Sequence, residues 1–257
     1  MVRSHTCTAL VLRVRPSGES NREAWFLSAG EGILRATVFG GPRSRLRSHV
    51  APFHQGRLWL YHDPVRDSRK VTDFDVEDWR PGIRERYERA MAADAAAETI
   101  LVSQGGGGAW DHAFNLCSRT LSALEGAGET QCLRVFLRFL WDWVDILGLR
   151  PELRCASCGR DFTGDGTPDA GERVWYSPRE GGFFCAACGA GAEECFPLGS
   201  GARRWLAGAK NSDGPFPETS GAEGPPPEEA VLKELRAVLT GMMAHALGRR
   251  LGTWDTF

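Results

Sequence analysis

The chain lacks the short motifs by which hydrolases and nucleotide-using enzymes are usually read. None of its six histidines stands in HExxH or HxH, no serine stands in GxSxG, and no glycine-rich loop carries a Walker lysine. These absences remove a zincin metal pair, a nucleophile elbow and a cradle for ATP phosphates. Gly105–Gly108 has neither a strand before it nor Lys-Ser/Thr after it, so it reads as a loop rather than a phosphate nest. There is no apolar run long enough to span a bilayer and no secretory h-region near residue 1, so a reducing, cytoplasmic setting is expected, with no membrane partner. Asp73, Asp75, Glu77 and Asp78 cluster like the carboxylates of a Mg²⁺ site, but a nuclease draws its carboxylates from several elements, and the cluster reads as a solvated acidic linker. No enzyme signature remains.

Net charge is also scarce, at −2, but its distribution is uneven. Residues 1–72 hold 12 Arg and Lys against 5 Asp and Glu, an excess of seven cations that the rest of the chain reverses. Such a third suits a polyanion, because each cation seated on a phosphate releases a condensed counterion. With 257 residues, 42% of them hydrophobic and 25% charged, the chain is an ordinary globular protein long enough for two or three units.

What the chain does have is a pair of CxxC knuckles, Cys155-Ala-Ser-Cys158 and Cys185-Ala-Ala-Cys188, separated by 26 residues. Each knuckle turns two thiolates toward one point, and two knuckles complete a tetrahedral S₄ set for one Zn²⁺; disulfides or an Fe–S cluster are the alternatives. Gly159 and Gly189 follow the knuckles, where a positive φ lets the chain double back and aim amides at sulfur. Four thiolates leave no open coordination position, so the metal is structural. The other cysteines, Cys7, Cys117, Cys132 and Cys195, sit in scattered, mostly apolar contexts and read as small buried hydrophobes.

Five short extended runs occupy the first third: Thr6–Val14, Glu23–Ser28, Ile33–Phe39, Pro52–His62 and Lys70–Val76. They are separated by turn signals such as Arg15-Pro16-Ser17-Gly18, Ala29-Gly30-Glu31-Gly32 and Gly40-Gly41-Pro42. Five strands in this length suggest a small closed barrel, OB-type or SH3-like. From Pro81 the texture becomes helical: Gly82–Ser103, Asp111–Leu124, and a long amphipathic helix marked by Leu133, Phe136, Leu137, Leu140, Trp141, Val144 and Leu147 and ending at Gly148. Within the cysteine module, Arg173–Tyr176 and Gly182–Phe184 read as hairpin arms. Gly199–Pro227 reads as a partly mobile connection anchored by Trp205 and Leu206, and a last helix covers Glu228–Leu251, returning onto the long one. The fold class is therefore α+β: an OB-type barrel at 1–79, then a helical domain at 80–257 interrupted by a zinc-finger module at 151–197.

The basic candidates lie in the barrel. Arg43, Arg45 and Arg47 follow the third strand and would point one way if extended, as a phosphate track. Arg13, Arg15 and Arg22 flank the first break, and Arg35 lies in the third strand. Arg57, Trp59 and Tyr61 alternate with Leu58 and Leu60 on the fourth; if the leucines are the buried set, the others form a stacking platform beside a cation, and if not, Trp59 fills the barrel.

The same residues carry a resemblance. Ala9-Leu10-Val11-Leu12-Arg13, Gly18-Glu19-Ser20-Asn21-Arg22, Gly30-Glu31-Gly32-Ile33-Leu34-Arg35 and Gly40-Gly41-Pro42-Arg43-Ser44-Arg45 resemble the opening of RecO, the bacterial recombination mediator. Pro52-Phe53, the placement of the four cysteines and His245–Leu251 (HALGRRL) fit as well. Asn21, more often Asp in the family, Gly105–Gly108 and the Pro/Gly-rich 199–227 depart from it. The resemblance implies an OB barrel, a helical body with a zinc finger, binding of single- and double-stranded DNA, strand annealing, and work with RecR and the single-stranded DNA-binding protein. That partner's acidic tail is implied to dock on the helical body, where Arg134 and Arg138 stand one turn apart. Two rival classes stay open: a sequence-specific zinc-finger regulator, which needs base-reading side chains, and a protein adaptor, which leaves the cation excess unexplained.

Overall fold

A computed structural model describes residues 4–41, 43–103, 108–163, 173–189, 194–208 and 229–255. The chain falls into two compact units, Met1–Cys132 and Leu133–Phe257. The first is built on five strands, β1 (Ser4–Ser17), β2 (Asn21–Ser28), β3 (Gly32–Val38), β4 (Gln55–Asp63) and β5 (Ser68–Asp78), with a short helix α1 (Arg45–His49) between β3 and β4. They close as β1-β2-β3-β5-β4, every pairing antiparallel except β3 with β5 at Thr37 and Lys70. This is the OB-type barrel, and the parallel β3–β5 contact closes it.

Period-two alternation fills the barrel. Ala24 and Phe26, Leu34, Ala36 and Val38, Leu58 and Leu60, and Val71 and Phe74 point inward and are buried together. β1 departs from simple alternation, since Ala9, Leu10, Val11 and Leu12 are all buried. Two features account for it: a bulge between Val11 and Arg13, and helices packed on the outside of β1 and β2. Those helices are α3 (Tyr87–Val102) on β1 and α4 (Trp110–Glu125) on β2, with a short α2 (Pro81–Arg84) packed against both helices. The expected single helix over 82–103 is thus two, broken around Arg86, which has extended backbone. A boundary at residue 79 separates the barrel strands from helices that pack on them within one unit.

Arg80 fastens the two layers. It sits in left-handed backbone at φ 41°, is 1% exposed, and donates to Phe53 O at 3.0 Å, Gln55 Oε1 at 3.0 Å and Ser118 Oγ at 3.1 Å while pairing with Asp78 at 2.9 Å. Its two terminal nitrogens are met this way, as burial of a guanidinium requires, while its Nε is shielded without a hydrogen-bond partner.

In the second unit, α5 (Glu129–Ile146, which begins in the first) buries Phe136, Leu137, Phe139, Leu140, Trp141, Trp143 and Val144. Burial extends beyond the predicted stripe, because Phe139 and Trp143 off that face are also covered. A three-stranded sheet follows in the order β7 (Gly182–Phe184), β6 (Val174–Ser177), β8 (Phe196–Leu198). The β6–β7 hairpin matches expectation; β8 does not, and neither does α6 (Ser200–Gly208), which occupies the start of the segment read as mobile and buries Ala202 and Leu206. Residues 209–227, Gly105–Gly107 and Pro42 lie outside the described residues. The last helix, α7 (Glu229–Leu247), ends where Gly248 takes φ 66° and packs against β8 and α6. Among the described residues no helix is long and apolar enough to cross a membrane.

Candidate nucleic-acid interface and metal centre

The outward-facing positions of β1, β2 and β3 assemble a surface that the strand pattern alone did not single out. Register places Trp25 between Arg13 on β1 and Arg35 on β3, with Ala24 and Phe26 on the opposite, inner side. The Trp25 ring is half-buried between two guanidiniums, with Arg15 at 5.9 Å and Arg35 at 5.6 Å from its centroid. Both stack on its π-face, which leaves their charges beside an aromatic plane. Arg35 is also held by Glu23 at 2.5 Å, so part of its charge is met; the hydrogen bond and the carboxylate's attraction raise its pKa. Arg15 is exposed at the end of β1, across from Glu23. Arg13 is turned aside to Glu98 on α3 at 3.9 Å and is the least available of the set.

Arg22 and Arg47 form the second basic focus. Arg22 donates to the Arg47 carbonyl at 3.3 Å, and its pKa is lowered by burial and then by the Arg47 charge. Two cations held together with no ion-pair partner among the described residues repel each other, and an anion seated between them relieves that repulsion. The predicted arginine track does not form as drawn. The segment is helical over Arg45–His49, so Arg45 and Arg47 leave the axis on different sides; Arg43 and Arg45 are exposed, and Arg45 donates to His49 Nε2 at 3.2 Å. Helix formation there follows from Ser44, whose carbonyl accepts from Arg47 N at 3.0 Å and closes the first turn.

On β4 the leucines are the buried set, so Arg57, Trp59 and Tyr61 face outward. Their cross-strand neighbours on β5 are Asp75, Asp73 and Lys70. Asp73, Asp75, Glu77 and Asp78 therefore belong to a strand and not to a linker, and they temper the charge of this side. The exception is Lys70, whose ammonium sits 4.6 Å from the Tyr61 ring centroid. Of the platform residues, Trp25 was the one sequence reading missed. The signal was present: the two-residue period that turns Ala24 and Phe26 inward puts Trp25 on the outer side with Glu23.

In the helical unit, Arg138 is largely committed, pairing with Asp142 at 3.0 Å, while Arg150 takes the other carboxylate oxygen at 3.1 Å. Arg134 lies half-buried one turn away, its Nε shielded and without a hydrogen-bond partner.

The four knuckle cysteines converge. Their sulfurs all lie within 4.8 Å of one another, Cys158 and Cys185 are 3.9 Å apart, and none is in a disulfide. Tetrahedral zinc at Zn–S ≈ 2.3 Å requires sulfur separations of about 3.8 Å. Both knuckles close on backbone: Gly159 N donates to Cys155 O at 2.9 Å with φ 74° at Gly159, and Gly189 N donates to Cys185 O at 2.8 Å. Cys185 N points at Cys155 Sγ at 3.5 Å, and Ala156 N binds Phe183 O at 2.8 Å, tying the first knuckle to β7. Cys155 and Cys185 are buried and Cys158 and Cys188 exposed. Burial raises the Cys155 thiol, but amide donors from Cys158, Cys185 and Ser157 outweigh it and bring the thiol down to about 6. At Cys188 a hydrogen bond with Ser157 favours the thiolate, yet shared protons with Cys185 and Cys158 prevail and push it up to about 12. Thiolates this close do not all ionise alone. A dication at their centre removes the conflict, so the donor set fits a closed S₄ metal site.

The sequence matches the family profile "Recombination protein O N terminal" over residues 1–77 and "Recombination protein O C terminal" over residues 84–255. This chain belongs to the RecO family. Among similar proteins, a Rubrobacter xylanophilus protein named "DNA repair protein RecO" is 29% identical over 243 residues, covering 93% of this chain and 91% of its own length. One of the same name from Anaeromyxobacter sp. (strain K) is 29% identical over 252 residues, covering 95% and 92%. The first RecO profile ends at residue 77, just before the end of β5, and the second covers the helices and the cysteine cluster, so barrel and metal module both fall inside the family match. The RecO assignment places the chain among DNA repair proteins.

Proposed function

We propose that this chain is a non-enzymatic recombination mediator that binds single- and double-stranded DNA, anneals complementary strands and helps load recombinase onto protein-coated single strands. The observation that carries the reading is the Trp25 ring flanked by Arg15 and Arg35 on the outward face of β2, with Arg22 and Arg47 as a second cation pair. An aromatic face beside cations binds bases and phosphates without regard to sequence. Neutralising the backbones of two strands lowers their repulsion and lets them pair. The barrel, residues 1–79, is the DNA-binding domain; Arg13, Arg43, Arg45, Arg57 and Trp59 extend the contact.

One structural Zn²⁺ is held by Cys155, Cys158, Cys185 and Cys188, fixing a lobe that contacts partners. Those partners are RecR and the acidic tail of the single-stranded DNA-binding protein, with Arg134 the better placed of the two helix arginines, and the setting is the cytoplasmic nucleoid.

The test is a fluorescence-anisotropy titration of labelled single-stranded DNA at several salt concentrations. Wild-type affinity falls steeply with salt, and the double variant Arg22→Ala/Arg47→Ala flattens the log–log slope by about 1.4, two phosphates at about 0.7 each. An unchanged slope removes that pair from the interface. Absence of DNA binding at moderate salt favours a protein adaptor, and preference for one defined sequence over random DNA favours a regulator.

A further inference from the structure

A second group of metal-ligating side chains lies at the other extreme of the chain, in the barrel itself. His5 and Cys7 are two residues apart on β1, hence on one side of the strand, and Glu31 belongs to the turn joining β2 to β3. Pairing of Ala9 with Ser28 lays the start of β1 beside that turn, so three ligand types from distant positions meet at one end of the barrel. A nitrogen of His5, the sulfur of Cys7 and a carboxylate oxygen of Glu31 all lie within 4.8 Å of one another.

The arrangement of these atoms distinguishes it from an ordinary ion pair. His5 Nε2 is 3.1 Å from Glu31 Oε2, yet Nε2 is shielded from water and makes no hydrogen bond. A donor and acceptor that near normally align. Two ligands of a common ion have a different geometry: their lone pairs face a third point and not each other. We propose that His5, Cys7 and Glu31 form a second metal site that takes a borderline divalent cation, Zn²⁺ first, through one imidazole nitrogen, one thiolate and one carboxylate. This ligand mixture suits zinc over the hard cations magnesium and calcium, which prefer oxygen alone. Three protein ligands leave a fourth position for water, unlike the closed four-sulfur site. An ion there clamps the first strand to the β2–β3 turn. It rests on barrel residues alone and holds whether or not the barrel binds DNA.

The experiment is equilibrium dialysis of the full chain against micromolar Zn²⁺, followed by elemental analysis and a thermal melt. Glu31→Gln and His5→Ala each bind one equivalent less than wild type, with the zinc dissociation constant raised at least about tenfold. Their barrels remain folded by circular dichroism, and zinc no longer raises the melting temperature of the first unit. Cys188→Ser, which attacks the other site, leaves the Glu31-dependent equivalent in place. Cobalt substitution gives an independent readout: Cys7→Ser removes part of the thiolate-to-cobalt charge-transfer absorption. Identical metal content in wild type, Glu31→Gln and His5→Ala overturns the site. Glu31 is exposed in a turn, so its variant folds even where a substitution at Cys7 does not.

Discussion

Two side chains show how much turns on a single position. Trp25 is flanked by guanidiniums above a barrel wall, and a stacked base loses about 1–3 kcal/mol on aromatic truncation. Trp25→Ala is therefore expected to weaken single-stranded DNA binding by about 5- to 150-fold while leaving the salt slope nearly unchanged, as read by anisotropy; an affinity within twofold of wild type removes the ring from the interface. Arg80 has the opposite character, a cation hidden from any ligand. Its donors satisfy Phe53 O, Gln55 and Ser118; removing them strands the buried Phe53 carbonyl at about 1–3 kcal/mol and leaves a cavity, while Gln55 Oε1 keeps its bond from Ser118. Arg80→Ala is expected to lower stability by at least about 2 kcal/mol in urea titration, with little direct effect on DNA affinity once folded. Nothing in the sequence separates these two roles, since Arg80, just after the acidic run 73–78, reads like any solvated arginine.

At the scale of elements, strands were more legible than helix limits. Alternation located all five barrel strands, because a two-residue period with one buried face survives without knowledge of the partner. It failed at β1, where α3 packs on the outer side, and at the acidic run 73–78, which β4 recruits into β5 by cross-strand pairing. The segment 43–49 fails similarly: three alternating arginines fit a strand, but the local turn at Ser44 decides for a helix.

The link from α1 to β4 adds a titration. His54 is 2% exposed, its Nδ1–H donates to His49 O at 2.8 Å, and its Nε2 accepts from Arg84. Burial lowers its pKa below 6.5, opposed by the His49 bond and aided by the Arg84 charge. The unfolded chain thus takes up the proton first, so the stability tied to neutral His54 is present above about pH 6.5 and is lost as pH falls from there through the folded pKa. The urea midpoint is expected to drop between pH 7 and 5, and His54→Gln to shrink that drop; an equal drop in the variant places the titration elsewhere.

For the whole molecule, two compact units are held by different means. The barrel buries a continuous apolar core, whereas the cysteine module of the second unit has short strands and few large buried groups beyond Phe162, Tyr176 and Phe183. Small modules of this kind draw their folding energy from the metal. Cys155→Ser is expected to strip the four-sulfur zinc and to abolish the exchange protection of residues 153–163 and 173–189. Strand protection in the barrel then persists, as hydrogen exchange would show. Loss of barrel protection in parallel with the module would mean the metal supports the entire fold.

The sequence by itself determined the S₄ cluster, the five-strand pattern and the excess of cations in the first third, because each depends on spacing or composition within short stretches. Only the tertiary structure decided which cations stay open. Arg13 is claimed by Glu98, Arg138 by Asp142 and Arg80 by the barrel floor, whereas Arg15, Arg22 and Arg47 have no acidic partner among the described residues. It alone also brought His5, Cys7 and Glu31 to one point and set Trp25 outside the core. The physical reason is that charge availability and ligand convergence depend on neighbours across strands and helices. Those neighbours are distant along the chain, and no local period encodes them.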